Sequence, residues 1–294
     1  MQRQIDAFIK ENKIDDSYKD RIVKPSFTYH GESVLKKAIS AILAGKNILL
    51  LGNKSTGKNV LAENLAYIFK RPLWNVSFHV NVDSSLLIGL DTLKNGQVVF
   101  RDGPVTKASK SGGFLVFDEI NMARNEAMAV LHSILDYRRI IDIPGYDLIK
   151  INPATRFIAT MNYNYEGTRD LNEALLSRFV IIDMPLIKED DLDLLLRENY
   201  KNLIKSYRDQ INKLFFDFTL KAKAGEISDL AIDLRGIFDC LDLVKNGLSL
   251  DEALNMTIVN KIFDPYERDL VRDLIKSRFK KSLDKDDLFE RPYE

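Results

Sequence analysis

Three stretches of this chain carry side chains whose types and spacing suit phosphate chemistry. The first is Gly52, Asn53, Lys54, Ser55, Thr56, Gly57, Lys58 and Asn59, with Val60 opening the helix-forming run behind it. Glycine lets such a loop turn its backbone N–H groups toward phosphate oxygens. The helix start behind it adds the positive end of a dipole, and Lys58 a point charge for the β- and γ-phosphates. The second is FLVFDEIN at 114–121, an apolar run that delivers two carboxylates to one end. Asp118 is placed to hold Mg²⁺, directly or through water, and Glu119 to orient and polarise an attacking water. The third, RFIATMN at 156–162, closes on Asn162, a polar residue expected beside the γ-phosphate. Two arginines lie further on. Arg178 ends the run ALLSR, where it could neutralise transition-state charge on a neighbouring subunit's nucleotide. Arg235, at a helix start in the second half, could reach the γ-phosphate from a lid. Each feature also has an ordinary reading: a glycine turn, a solvated acidic turn, a helix-end salt bridge or an exposed arginine. Asn59 stands where phosphate loops usually carry Ser or Thr, whose hydroxyl binds Mg²⁺. Its amide oxygen is a neutral, hard ligand that could serve directly or through water.

These residues need a scaffold, and the apolar pattern supplies one. Strand candidates fall at 47–51, 72–78, 114–117, 156–160 and 179–184, with helical stretches at 32–44, about 58–70 and about 125–136. Continuous apolar strands alternating with helices imply an α/β domain, a parallel sheet with helices on both faces. Residues 1–30 read as a short polar extension with room for one helix. After Pro185 the pattern is helical only. Leu192, Leu195, Leu196, Leu203, Ile204, Tyr207, Ile211, Leu214 and Phe218 form one long stripe, with further helices from Asp233 and from Ser249, where Ser249 and Glu252 suit a capping box. The expected division is an extension at 1–30, an α/β domain at 31–186 and an all-helical lid at 187–294. Two hairpins interrupt the α/β pattern: 91–100, with Asn95-Gly96 suited to a type I′ turn, and 139–157, turning at Pro144-Gly145.

Composition narrows the classes. Lys+Arg and Asp+Glu both number 43 in 294 residues, so no global basic field argues for nucleic acid. The single Cys240 excludes an internal disulfide and reads as a small buried thiol. His30, His79 and His132 lack metal-ligand spacing and read as structural. The charged N-terminal stretch has no signal-peptide core, and no apolar run is long enough to span a bilayer. The expectation is a cytoplasmic protein without a membrane partner.

GNKSTGKN, FLVFDEIN, Asn162, ALLSRF and LRG resemble, in that order, the motifs of the AAA+ ATPases. ATMNYNYEGTRDLNEALLSRF is similar to the MoxR-type and dynein-related branch. The likeness covers about residues 31–250 and implies a P-loop NTPase fold that binds ATP/ADP with Mg²⁺. By resemblance, Gly57 and Lys58 bind phosphate, Asp118 and Glu119 form the Walker-B pair, and Asn162 is the first sensor. Arg178 becomes the arginine finger, Arg235 the second sensor, and the two hairpins inserts that face the pore of a ring. The branch implies a homo-oligomeric ring, expected to be a hexamer, that remodels or activates a client protein with a von Willebrand factor A domain partner. Two alternatives stay open: a nucleic-acid-directed NTPase motor or restriction-type subunit, and a nucleotide-gated assembly protein with low turnover. Asn59 is where the match fails, so either metal binding is altered there or Asn does the usual job.

Overall fold

The computed structural model describes residues 1–79, 81–163, 171–279 and 281–290. The chain divides into two compact units, Met1–Asn53 with Gly57–Pro185, and Leu186–Glu294 with Lys54–Thr56. The first is built on five parallel strands, β1 (Ile48–Leu51), β2 (Leu73–Ser77), β5 (Phe114–Asp118), β8 (Arg156–Met161) and β9 (Val180–Asp183), in the spatial order β2-β5-β8-β1-β9. All five lie on the expected apolar runs. The three central strands β1, β5 and β8 are buried at nearly every position because both faces are covered, whereas Asn75 and Ser77 of edge strand β2 and Val180, Ile181 and Asp183 of edge strand β9 are exposed. Leu49, Leu115, Phe117, Phe157 and Ala159 join one core cluster, while Ile48, Leu50, Phe114, Val116 and Ile158 join the other. Alternate side chains of one strand thus feed two cores, the two-residue period of a strand with no polar side.

Helices α2 (Glu32–Leu43) and α3 (Lys58–Ile68) bury residues in the second cluster, with α1 (Gln2–Glu11) contributing Ile5. The segment read as a polar extension is therefore part of the packed unit. The Phe8 ring meets Phe69 edge-on at 5.1 Å and lies under the guanidinium groups of Arg71 (5.5 Å) and Arg156 (5.7 Å). Arg71 also donates to the carbonyl of Asn12. Arg21 stacks over Trp74 at 4.8 Å and donates to Leu73 O at 2.9 Å, on the edge strand β2. These contacts join residues far apart in sequence, so the segment's polar composition concealed them. On the other face lie α4 (Ser84–Ile88), α5 (Pro104–Ser111) and α6 (Asn125–Ile134). α5 was not anticipated, although Pro104 at its start and left-handed Gly112 (φ 71°) after its end are local signals for it.

Both hairpins form. β3 (Gly89–Lys94) pairs with β4 (Gln97–Asp102) around Asn95 and Gly96, both with positive φ as a type I′ turn requires. The second is shorter than its sequence suggested, pairing only β6 (Ile140–Ile141) with β7 (Ile149–Lys150). A last short helix of this unit, α7 (Glu173–Leu176), precedes β9.

The second unit is helical: α8 (Glu189–Asn199), α9 (Lys205–Lys223), α10 (Leu234–Lys245), α11 (Leu250–Thr257), α12 (Pro265–Arg278) and α13 (Lys285–Leu288). The single apolar stripe is broken after Asn199, where Tyr200 and Leu203 turn inward before α9 begins. The Ser249–Glu252 capping box is present at the start of α11. Gly236 lets α10 approach α11 closely, since a Cβ there would lie 2.5 Å from Ile258 Cδ1 and 2.7 Å from Thr257 O. Cys240 is buried at 2% exposure, which pushes its thiol up to about 12.

Candidate functional site

The topology brings the first three stretches to one end of the sheet. β8 is inserted between β1 and β5, with Leu51 opposite Met161 and Phe117 opposite Ala159. The loop after β1, the carboxylates after β5 and Asn162 after β8 therefore emerge side by side, at the carboxyl ends of parallel strands where open α/β sheets bind ligands.

Gly52 N–H donates to Met161 O at 3.2 Å, tying the start of the loop to β8. The loop turns through left-handed backbone at Ser55 (φ 60°) and Gly57 (φ 79°), the residue that caps α3. Lys58, the first residue of α3, folds back so that Nζ donates to the carbonyls of Gly52 (2.8 Å) and Asn53 (2.6 Å). Burial lowers its pKa to about 8, against the opposing pull of Asp118 and Glu119.

Asp118 is gripped at both oxygens. Thr160 donates to Oδ1 at 2.5 Å and Asn59 Nδ2 to Oδ2 at 3.1 Å. Thr160 Oγ1 in turn accepts the backbone N–H of Glu119 at 3.1 Å, so one buried hydroxyl fixes both acidic residues. Glu119 is exposed and left-handed (φ 53°, ψ 48°), a conformation that costs a non-glycine residue energy. Asn162, half-buried, lies one residue beyond β8.

A divalent cation fits the donors present. Asn59 Oδ1 is buried and makes no hydrogen bond, while its Nδ2 is committed to Asp118. A buried amide oxygen left without a partner is a free hard ligand beside a carboxylate. Among the described residues no cluster of three or more His, Cys, Asp or Glu could hold a metal alone. Phosphate oxygens and water would have to complete the shell.

The loop's other flank was not anticipated from sequence. Asn64, 8% exposed, accepts from Tyr29 N (3.2 Å) and donates to the carbonyls of Phe27 and Val60 (both 2.8 Å). This pins residues 27–29 against α3, and a Cβ on Gly57 would sit 3.4 Å from the Tyr29 ring. A polar Asn on the buried side of an otherwise apolar helix was the available signal.

The two arginines are placed differently. Arg178 donates through Nη1 to Ala174 O and lies 3.9 Å from Asp136 through Nη2. Its anchors are thus near α6 and α7 rather than at the phosphate loop. Arg235 is exposed in the first turn of α10, within the helical unit.

Residues 47–179 match the family model of the AAA domain, dynein-related subfamily. The α/β unit accordingly has the fold of an AAA domain. YojN of Bacillus subtilis (strain 168), an uncharacterised protein, is 36% identical over 275 residues, covering 92% of this chain and 90% of its own. An uncharacterised Staphylococcus haemolyticus protein is 34% identical over 264 residues, covering 88% of this chain and 100% of its own. The chain belongs to the family of these proteins, and residues 47–179 of its α/β unit form an AAA domain of the dynein-related subfamily. The crystal structure of a candidate ATPase from Cytophaga hutchinsonii is 18% identical, covers 92% of this chain and 85% of that one, and superposes with a TM-score of 0.49. Among the described residues, no helix is long and apolar enough to cross a membrane.

Proposed function

We propose that this protein is a Mg²⁺-dependent ATPase of the MoxR-type branch, hydrolysing ATP to ADP and phosphate. It works in the cytoplasm as a homo-oligomeric ring, a hexamer, that remodels or activates a client together with a von Willebrand factor A domain partner. Residues 31–186 serve as the nucleotide-binding domain and 187–294 as its lid. The observation that carries the ATPase reading is the Thr160 hydroxyl, which holds Asp118 and the backbone of Glu119 together beside the phosphate loop.

In this reading the backbone of 52–58 takes the phosphates, and Lys58 exchanges its two carbonyl partners for β- and γ-oxygens. Residues 27–29 border the nucleoside. Asn59 Oδ1 and Asp118 would hold Mg²⁺, which supplies positive charge where the phosphoryl group transfers. Glu119 accepts a proton from water as its oxygen attacks the γ-phosphorus and the bond to the bridging oxygen of ADP breaks. Asn162 orients the γ-phosphate, Arg178 completes the neighbour's site, and Arg235 closes from the lid. The net charge of zero favours a protein client over nucleic acid.

Steady-state phosphate release with and without Mg²⁺, beside light scattering of the nucleotide-bound protein, tests this reading. Glu119→Gln should bind ATP, stop turnover and hold the ring together. Turnover within a few-fold of the parent would assign the water to another residue. A monomer under all nucleotide conditions would remove the ring.

A further inference from the structure

Arg178 is held less firmly than an interior arginine. From the turn after α7, Nη1 bonds back to Ala174 O, Nη2 stands 3.9 Å from Asp136, and Nε is buried without any hydrogen-bond partner. Asp136 follows the C-terminal end of α6, where the helix dipole disfavours a negative charge. A carboxylate in that place needs compensation, and two guanidinium groups provide it. Arg138 donates to Asp136 Oδ1 from its backbone N–H (3.0 Å) and from Nε (2.8 Å), leaving Oδ2 toward Arg178. These hydrogen bonds and both positive charges hold the Asp136 carboxyl below the usual carboxylate range. His132, one turn earlier on α6, has its pKa lowered by burial and by Arg178, so it does not compete as a cation at neutral pH.

The same cluster adjoins the second hairpin. Arg139, next to Arg138, accepts from Ile151 N at 2.9 Å through its carbonyl, and its Nη2 donates to Asn152 O (2.9 Å) and Thr155 O (3.1 Å). Arg139 therefore fixes the root of the β6–β7 hairpin while Arg138 grips Asp136. A displacement of the hairpin root moves Arg138, and with it the carboxylate that faces Arg178.

We propose that Asp136 is a positioning residue for Arg178, orienting the guanidinium for a neighbour's phosphate and coupling it, through Arg138, to the β6–β7 hairpin. This rests on the reading of Arg178 as a finger acting in trans.

The experiment is single-turnover hydrolysis of radiolabelled ATP by the full-length protein, with nucleotide affinity measured separately by calorimetry. Asp136→Asn keeps the shape and removes the charge. It should lower the rate about 10- to 100-fold, the scale of a slightly misplaced catalytic group, and leave affinity unchanged. In an Arg178→Ala background the same change should cost nothing more. Asp136→Glu, with its charge on a longer arm, should recover most of the rate. Two outcomes overturn the proposal while leaving the finger intact: full activity in Asp136→Asn, or an equal loss with and without Arg178. Normal hydrolysis by Arg178→Ala removes the finger itself, and the proposal falls with it.

Discussion

Asp118 and Arg178 are charged groups of the same α/β unit, and they are held in contrasting ways. Both oxygens of Asp118 accept hydrogen bonds, from Thr160 at 2.5 Å and Asn59 at 3.1 Å, and the neighbouring Glu119 backbone is fixed by the same threonine. Arg178 has one bond to the preceding helix, one distant carboxylate and an unpaired buried Nε. Fixed dipoles and charges lower a barrier because they need no reorganisation during the reaction. By that measure the carboxylate end is finished within one subunit, whereas the arginine is under-satisfied and has donor capacity left for an acceptor that one chain does not supply. The contrast teaches where the site is self-sufficient and where it would depend on a second copy.

The largest effect that could break this contrast belongs to Arg178. A finger supplied in trans contributes about 10³–10⁵ in rate in related phosphoryl-transfer systems, so Arg178→Ala should nearly abolish turnover while each subunit still binds ATP. Mixing it with Glu119→Gln protein, under conditions where subunit exchange is demonstrated, should restore part of the activity, because some interfaces then pair an intact Glu119 with an intact Arg178. If no activity returns, the two residues do not share an active site.

Lys58→Ala probes the self-sufficient side, where the loss is one of binding. Removing a charge-assisted contact of about 1.5–3 kcal/mol should weaken ATP binding about 10- to 100-fold by calorimetry. Unchanged affinity would mean that the lysine stays on the carbonyls of Gly52 and Asn53 in the complex, and the loop would lose its assignment.

The sequence made the motif residues legible as a set, and the strands that carry them, because the loop's glycines and lysine and the apolar runs are local signals. What each residue touches was not legible. Thr160 reads as an ordinary strand residue until β8 is placed between β1 and β5, which puts it beside an aspartate 42 positions away in sequence. Asn64 and Tyr29 meet across 35 positions, and Asp136 meets Arg178 across a similar span that the two-residue pairing of β6 and β7 interrupts. The polar N-terminal stretch misled for a related reason. Ile5 and Phe8 are among its few apolar and aromatic residues, and both pack, with the guanidinium groups of Arg71 and Arg156 over the Phe8 ring as cation–π partners.

Asn59→Thr sharpens the contrast by a smaller step. A threonine hydroxyl can donate to Asp118 and accept a cation at one oxygen, whereas Asn59 divides these tasks between Nδ2 and the unpartnered Oδ1. If the amide is the poorer ligand, the change should lower the Mg²⁺ concentration for half-maximal phosphate release by a few-fold. A collapse of activity would instead mark the network around Asp118 as adapted to the amide.

The subtlest readout is a single proton. Lys58 titrates near 8 because burial disfavours its ammonium more than Asp118 and Glu119 favour it. ATP phosphates bring negative charge to that ammonium and raise its pKa, so above pH 8 binding must take up a proton that the free protein lacks. Well below pH 8 the lysine is already charged and no uptake occurs. Affinity should therefore be steady below pH 8 and fall above it, by up to about tenfold between pH 7 and pH 9 if only the charged lysine binds. Calorimetry at pH 8.5 (roughly half a unit above that midpoint) in buffers of different ionisation enthalpy reads the uptake directly, with Lys58→Ala as the control that should show none. Equal uptake in the variant would place the proton on another group, and the partial burial of Lys58 would then have no bearing on how the loop receives its ligand.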